Sequence, residues 1–157
     1  MKKLVVYYSL DGNTRFIAGA IAEASGADML ELKLRNQPEL KGFMKFFWGG
    51  RQVFTKQRPQ LLAFEKDPQD YDVIFIGTPV WAFTYAPALA SFFEQVNLRG
   101  KKIALFCCSG GGKGRILENM KDSLSGNEFV GEIHFVEPLR RDSKHCEEAA
   151  RQWAEKI

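Results

Sequence analysis

The stretch KKLVVYYSLDGNT, Lys2 to Thr14, decides how the rest of the chain is interpreted. Its first half is apolar and rich in β-branched and aromatic residues, as a buried strand requires, and it stops at a small polar segment, Ser9 to Thr14. Apolar residues at helical spacing follow at once, from Phe16 to Ala24. The sequence therefore predicts a strand, a loop and a helix, with the loop at the N-terminus of the helix.

The Ser9 to Thr14 loop offers hydroxyl groups, a side-chain amide and backbone N–H groups where the helix begins. Such a helix terminus binds anions, phosphate above all. The loop lacks the Gly-Lys-Ser/Thr ending of a nucleoside triphosphate site and the G-x-G-x-x-G fingerprint of a dinucleotide site. A single terminal phosphate fits best, provided that the Asp11 carboxylate points away from it. The alternative is a turn with a helix cap and no ligand.

Length and composition indicate one domain without metal or disulfides. At 157 residues the chain can bury one hydrophobic core. No apolar run reaches the roughly 18 residues of a membrane span and no signal-peptide pattern is present, so we expect a soluble, cytoplasmic protein with no membrane partner. The three cysteines and two histidines have neither disulfide nor metal-ligand spacing. No nucleophile stands beside a general base, so no catalytic residue is assigned.

The charge of the chain is weakly positive but unevenly distributed. Its 22 Lys and Arg residues exceed its 19 Asp and Glu residues by three, which is too little to indicate a nucleic-acid partner. Between Lys33 and Arg58, however, seven basic residues stand against one acid, Glu39. This basic segment is either a solvated face or a docking surface for an acidic partner or a phosphorylated cosubstrate.

Residues 36–70 are interpreted as an extended basic and aromatic insertion. Aromatic residues in it recur at helical spacing, but Gly49-Gly50 interrupts the pattern, which predicts two short helical pieces around that pair. The aromatic group is either part of the core or a cofactor contact. It consists of Phe43, Phe46, Phe47 and Trp48.

The remaining sequence predicts four more strands. Met29 to Arg35 and Phe129 to Glu137 alternate apolar with polar or charged residues, which is typical of edge strands with one wet face. Tyr71 to Gly77 and Lys101 to Cys108 are almost continuously apolar, as expected of strands covered on both faces. Helical patterns separate these strands and end the chain.

Strands alternating with helices predict an α/β fold with right-handed crossovers, a three-layer sandwich over a single domain of residues 1–157. Because the second and fifth strands look half wet, they belong at the edges of a five-stranded parallel sheet of order 2-1-3-4-5. In such a sheet the ligand lies beyond the carboxyl ends of the strands, at the switch point between strands one and three. The loops after strands one, three and four therefore converge: Ser9 to Thr14, the aromatic loop Thr78 to Pro87 and the glycine-rich loop Ser109 to Gly114.

These three loops resemble those of flavodoxin and the flavodoxin-like FMN-binding family, and the resemblance covers nearly the full chain. Ser9 to Thr14 is similar to the family's phosphate loop, Thr78 to Phe83 to its first flavin loop, and Ser109 to Gly114 stands where its second flavin loop falls. The resemblance implies FMN as cofactor. The cofactor-binding residues that it implies are Ser9, Leu10, Asp11, Gly12, Asn13, Thr14, Thr78, Pro79, Val80, Trp81, Ala82, Phe83, Cys108, Ser109, Gly110 and Gly111.

Two of these flavin-loop assignments have alternatives. Trp81 would stack on or beside the isoalloxazine, whose flat apolar ring favours an aromatic wall, unless Trp81 is ordinary core packing. The Ser109 to Gly114 loop would approach the ring with its backbone, since glycine allows close contact, unless it is glycine-rich for flexibility alone. Of the adjacent cysteines, Cys107 is expected in the core and Cys108 near the loop.

The sequence also departs from the family. The Ser109 to Gly114 loop has no aromatic residue to cover the second flavin face, which favours an open face. Electron carriers usually place a glycine in the first flavin loop, where a peptide flip stabilises the semiquinone, whereas Ala82 follows Trp81 here. Alanine at positive φ costs about 1 kcal/mol or more, which argues against one-electron tuning. Many carriers are acidic, whereas this chain is slightly basic.

Three functions follow as hypotheses. The first is an FMN-binding electron carrier that shuttles electrons between redox partner proteins, without a catalytic acid or base of its own. The second is an NAD(P)H-dependent flavin or quinone reductase acting on a small redox substrate, in which basic residues meet the cosubstrate phosphates. The third is a binding module without flavin. The basic residues named for the second are Lys113, Arg115, Arg140 and Arg141.

Overall fold

A computed structural model of the protein describes residues 1–36 and 58–157. In chain order its elements are β1 Lys3–Tyr7, α1 Asn13–Ser25, β2 Asp28–Glu31, a 3-10 helix at Pro68–Asp70, β3 Val73–Trp81, β4 Thr84–Tyr85, α2 Pro87–Gln95, β5 Lys102–Ser109, α3 Ile116–Ser123, β6 Glu128–Val136 and α4 Ser143–Ala154. The helical pieces predicted around Gly49-Gly50, the aromatic group beside them and most of the basic segment lie outside the described residues.

The five long strands form a parallel sheet in the order β2-β1-β3-β5-β6, with β4 paired to β3 alone. Without the short β4 strand, this order is 2-1-3-4-5, so the predicted order is confirmed. The neighbours in the sheet are parallel at every one of these four pairings. The half-polar strands β2 and β6 lie at the edges of the sheet because a strand with one polar face cannot be covered on both sides.

Helices cover both faces of the sheet and give it two separate cores. Val5, Phe75 and Phe106 belong to the core that includes α1 and α4, while their neighbours Leu4 and Ile74 belong to the core that includes α2 and α3. All five are fully buried. Successive residues of a strand point to opposite faces, so a continuously apolar strand supplies both cores at once. The predicted three-layer sandwich is confirmed.

Two predicted strand boundaries were wrong. The predicted second strand runs to Arg35, but its ladder with β1 ends at Glu31. Leu34 then pairs with Leu61 in an isolated antiparallel bridge. Leu30, Leu32 and Leu34 are all buried, so the predicted alternation continues beyond the residues that pair with β1. The third strand was expected to end at Gly77, but β3 continues to Trp81 because the chain folds back on it as β4.

Cys107 is buried in the core, as expected, and Cys108 lies next to Ser109, where the loop begins, but is also buried, with 5 % exposed. Burial raises the pKa of the Cys107 thiol to about 12 and raises the pKa of Cys108 as well, so both thiols are protonated at neutral pH. Cys107, Cys108 and Cys146 are all free of disulfides. Within residues 1–36 and 58–157 there is no helix long and apolar enough to cross a membrane, and no cluster of His, Cys, Asp and Glu suited to a metal ion.

Candidate functional site

The Ser9 to Thr14 loop joins the carboxyl end of β1 to the first turn of α1. Gly12 is the residue before the helix and has a φ of 99°, a left-handed conformation that glycine adopts without steric cost. Its N–H donates to Ser9 Oγ at 3.2 Å. The loop is therefore closed by its own hydroxyl, and the helix N-terminus faces the carboxyl edge of the sheet.

Asp11 differs from its expected orientation. Its Oδ1 accepts a hydrogen bond from the Asn13 N–H at 3.2 Å, so the carboxylate faces the helix N-terminus instead of pointing away from it. The physical reason is that the first amides of a helix have no partner inside the helix, and the nearest carboxylate supplies one. A phosphate at this terminus would compete with Asp11 for the same amide.

Thr14 stands out within the first turn of α1. Its side chain is completely buried, and its Oγ1 makes no well-formed hydrogen bond among the described residues; its polar neighbour is the Cys108 thiol, a weak hydrogen-bond partner. A buried hydroxyl without a partner costs about 1–3 kcal/mol, and such groups are rare in folded proteins. An anion that completes the hydrogen bonding of this turn accounts for its presence. The residues of the loop therefore fit a bound phosphate.

The first flavin loop of the sequence prediction is a β-hairpin. Trp81 pairs with Thr84, so the turn contains only Ala82 and Phe83. Their φ angles are 47° and 63°, both left-handed, which is the pattern of a type I′ turn. That turn favours Asn-Gly, and a residue with a Cβ costs about 1–2 kcal/mol there. The strain expected at Ala82 is present and is shared with Phe83.

Hydrogen bonds hold the base of this hairpin. The Thr78 hydroxyl is fully buried, donates to Pro79 O at 2.8 Å and accepts from Ala86 N–H at 3.0 Å. Tyr85 Oη is 2.8 Å from Ser123 Oγ on α3. The hydroxyl of Thr78, a predicted cofactor-binding residue, thus braces the hairpin. The strained tip thus extends from a rigid base.

The aromatic residues of the hairpin have two environments. Trp81 is half-buried, packs on the core beside α2 and α3, and meets the Tyr8 ring nearly perpendicularly at a centroid distance of 5.6 Å. Phe83 at the tip is 70 % exposed. Part of the Trp81 indole therefore packs on the core, and part remains exposed.

The glycine-rich loop begins with a buried residue and then becomes exposed. Ser109 is 7 % exposed, whereas Gly110 and Gly111 lie at the surface. The loop also reaches the hairpin, because a methyl group added at Gly114 would lie 2.9 Å from Phe83 Cβ. The two predicted flavin loops therefore meet at Gly114, as their positions in the sheet order required.

His134 was not identified from the sequence. It pairs with Cys107 across the β5–β6 ladder, and its Nε2 lies 2.6 Å from Ser109 Oγ. Burial, and after it the nearby Lys113 ammonium, lower the pKa of His134. The only sequence signal was its position near the carboxyl end of the predicted edge strand, where it continues the polar side of the alternation.

A fourth segment, Glu137 to Asp142, also borders the site, and only Arg140 and Arg141 in it were named from the sequence. Leu139 N–H donates to the Asn13 Oδ1 at 3.0 Å, and Leu139 Cδ1 would touch a methyl group added at Gly12. Arg140 and Arg141, two of the residues named for cosubstrate phosphates, both pair with the Glu137 carboxylate. The segment follows the carboxyl end of β6, so the rule that placed the other loops applied to it too.

Comparison with known proteins matches these features to one family. The family model described as Flavodoxin matches residues 2–157. A protein from Bacteroides eggerthii assigned as a flavoprotein is 26 % identical, with a TM-score of 0.81 over 99 % of this chain and 97 % of its own. A Lactobacillus acidophilus flavoprotein solved in complex with FMN is 22 % identical, with a TM-score of 0.71 over 90 % and 97 %. The two-electron reduced Megasphaera elsdenii flavodoxin is 20 % identical, with a TM-score of 0.59 over 99 % of each chain.

Proposed function

The chain belongs to the flavodoxin family, and from that premise we propose that it binds FMN and transfers electrons between redox partner proteins. The observation that carries the proposal is the Thr14 hydroxyl, buried in the first turn of α1 without a well-formed hydrogen bond among the described residues. A family member that used this fold without a phosphate ligand would have no reason to retain that unfavourable group.

The Ser9 to Thr14 loop would hold the phosphate. It supplies the Ser9 and Thr14 hydroxyls, the Asn13 side-chain amide and the backbone N–H groups of the helix N-terminus. The Asn13 carbonyl oxygen is already engaged with Leu139, which leaves the donor end of that amide as the group suited to an anion. Asp11 would release the Asn13 N–H on binding.

The hairpin and the glycine-rich loop would hold the isoalloxazine. Trp81 supplies an apolar wall, and the exposed Gly110 and Gly111 allow the ring edge to approach the backbone closely. FMN, when bound, supplies the redox chemistry, since it accepts and donates electrons. The chain binds it, orients it and excludes water from one face.

A specific observation also favours a second function, NAD(P)H-dependent reduction of a flavin or quinone. The turn at Ala82 and Phe83 contains no glycine, and a flip of the peptide between them would give a type II′ turn, which requires glycine at the position of Ala82. The glycine-rich loop adds no aromatic cover, which leaves room for a nicotinamide. Lys113 and Arg115 remain the candidates for its phosphates, because Arg140 and Arg141 pair with Glu137.

An anaerobic reduction experiment distinguishes the two functions. The purified protein is loaded with FMN, and its absorbance is followed after addition of NADPH or NADH. We expect slow bleaching by the pyridine nucleotides and rapid bleaching by dithionite or a partner reductase, as a carrier requires. Rapid bleaching by NADPH or NADH would overturn the carrier and support the reductase, and absence of FMN binding would overturn both.

A further inference from the structure

One side chain outside the three predicted loops contacts the glycine-rich loop. His134 lies on the edge strand β6, and its Nε2 is 2.6 Å from the Oγ of Ser109, the last residue of β5. The same Oγ lies 3.2 Å from the Gly111 nitrogen and 3.0 Å from the Gly111 carbonyl oxygen. A single hydroxyl therefore connects the histidine ring to the Gly111 peptide, at a point where the loop is otherwise exposed.

The hydroxyl of Ser109 has one hydrogen, which limits how these contacts combine. If His134 Nε2 carries no proton, the hydroxyl donates to the ring and accepts from the Gly111 N–H. If Nε2 carries a proton, the ring donates to Ser109 Oγ, and the hydroxyl hydrogen is released to the Gly111 carbonyl. Because the oxygen can accept two hydrogen bonds, the Gly111 N–H can be held in both states, and protonation at Nε2 decides whether the serine also holds the Gly111 carbonyl.

The groups around His134 favour the neutral ring. Lys113, in the glycine-rich loop, is the nearby cation that with burial lowers the pKa of the ring. Glu132 lies two residues earlier on the same face of β6, but it forms an ion pair with Lys121 from α3. Cys107, opposite His134 on β5, is protonated because its pKa is raised to about 12. Glu128, at the other end of β6, forms no ion pair within the described part of the chain but lies six residues before His134, so Lys113 is the charge that acts on the ring.

We propose that His134 is a positioning residue for the glycine-rich loop, acting through the Ser109 hydroxyl on the Gly111 peptide. The proposal rests on the proposed function in one respect, namely that this loop meets the flavin. Protonation of His134 at Nε2 frees the Ser109 hydrogen for the Gly111 carbonyl, so the ring controls how firmly the serine holds this residue of the loop. The loop conformation itself is a property of the protein without FMN and can be tested there.

The first test follows amide signals of the FMN-free protein by NMR during a pH titration. With His145→Gln, which changes the exposed second histidine, His134 is the only histidine and its ring signals report its pKa. We expect the Gly111 amide to shift with the same midpoint as the His134 ring, below 6.5. Adding Ser109→Ala should abolish the Gly111 shift while the ring still titrates. A Gly111 signal that is flat in the His145→Gln protein, or unchanged by Ser109→Ala, would overturn the proposal.

The second test measures the FMN dissociation constant in a double-mutant cycle. Loss of the hydrogen bond in His134→Leu should weaken binding about two- to ten-fold. His134→Gln, which can still donate or accept, should restore most of the affinity. His134→Leu combined with Ser109→Ala should bind no more weakly than Ser109→Ala alone, because the histidine acts through the serine. Additive losses would overturn the proposal.

The two tests separate failure of this proposal from failure of the proposed function. Absence of FMN binding by the unmodified protein would contradict the proposed function, while the NMR titration would still decide whether His134 positions the loop. Thermal unfolding of each variant identifies any that does not fold. If His134→Leu does not fold, His134→Gln, which preserves the size and polarity of the position, is used alone. If this substitution leaves the pH-dependent shift of the Gly111 amide unchanged, the proposal fails.

Discussion

The phosphate loop Ser9 to Thr14 and the hairpin tip Ala82-Phe83 solve the same geometric problem differently. Both turn the chain sharply beyond the carboxyl end of a central strand. The first uses Gly12 at positive φ and has no backbone strain, but leaves the Thr14 hydroxyl without a well-formed hydrogen bond to any described residue. The second has a well-bonded base but forces two residues with side chains into left-handed backbone. The phosphate loop therefore has an unsatisfied polar group, and the hairpin tip has a strained backbone.

The two loops are therefore destabilised by different features, and different changes should stabilise them. An unpaired buried hydroxyl is relieved only by a polar partner, so the phosphate loop should gain most from an anion. Backbone strain is relieved by a change of turn or of residue, so the hairpin should gain most from substitution. Four variants or conditions test this contrast.

Thr14→Val should have the largest effect. If the hydroxyl binds the phosphate as proposed, removing it should weaken FMN binding about ten- to one-hundred-fold. The FMN-free protein should become more stable by about 1 kcal/mol, because an unsatisfied buried group is replaced by an isosteric methyl. Fluorescence titration and urea unfolding measure the two quantities. Riboflavin, which lacks the phosphate, is the control ligand and should bind both proteins equally.

An Asn-Gly turn should relieve the hairpin. Ala82→Asn with Phe83→Gly gives the residues that a type I′ turn favours and should raise the free energy of unfolding by about 1–2 kcal/mol. Phe83→Ala is the matched control, since it removes the exposed ring but keeps a Cβ at positive φ, and it should leave stability nearly unchanged. Equal stabilisation by both variants would show that the exposed ring, and not the backbone, was unfavourable.

Asp11→Asn should strengthen FMN binding by about two- to five-fold, because it removes a like charge beside the phosphate at the helix N-terminus. The effect should shrink as salt is added, since Asp11 is exposed. Riboflavin affinity should not change. Weaker FMN binding by Asp11→Asn would mean that the carboxylate organises the loop more than it repels the ligand.

The smallest expected effect is the contribution of His134 to the pH dependence of stability. The pKa of His134 is lowered in the folded protein from 6.5, so below pH 6.5 the unfolded chain binds more protons than the folded one. The free energy of unfolding should therefore decrease as pH falls below 6.5 and level off below the folded pKa. His134→Gln should remove this part of the slope, and His145→Gln should keep it. Denaturant unfolding at a series of pH values measures the free energy of unfolding of each protein.

Much of the fold was predictable because it depends on patterns that a sequence displays directly. The buried strands are continuously apolar and the edge strands alternate, and these two patterns determine the sheet order. The β4 hairpin was not predictable in the same way, because its turn is Ala82-Phe83 instead of the Asn-Gly that marks such turns. A strained turn carries no favourable local signal.

The site was predicted only where a loop follows a central strand. The phosphate loop, the aromatic loop and the glycine-rich loop have compositions that indicate a ligand, whereas His134 and Leu139 acquire their roles through partners distant in the sequence. His134 meets Ser109, 25 residues earlier, and Leu139 meets Asn13, 126 residues earlier. Such contacts depend on strand register, which periodicity does not fix to one residue.

A comparison of FMN and riboflavin binding by the unmodified protein shows whether the Ser9 to Thr14 loop recognises a phosphate. If the phosphate loop is an anion site, FMN should bind at least about ten-fold more tightly than riboflavin, since the two differ only in the phosphate. Thr14→Val should remove most of that difference. Equal affinity for the two ligands, or binding of neither, would contradict the account and leave Ser9 to Thr14 as a turn that caps a helix.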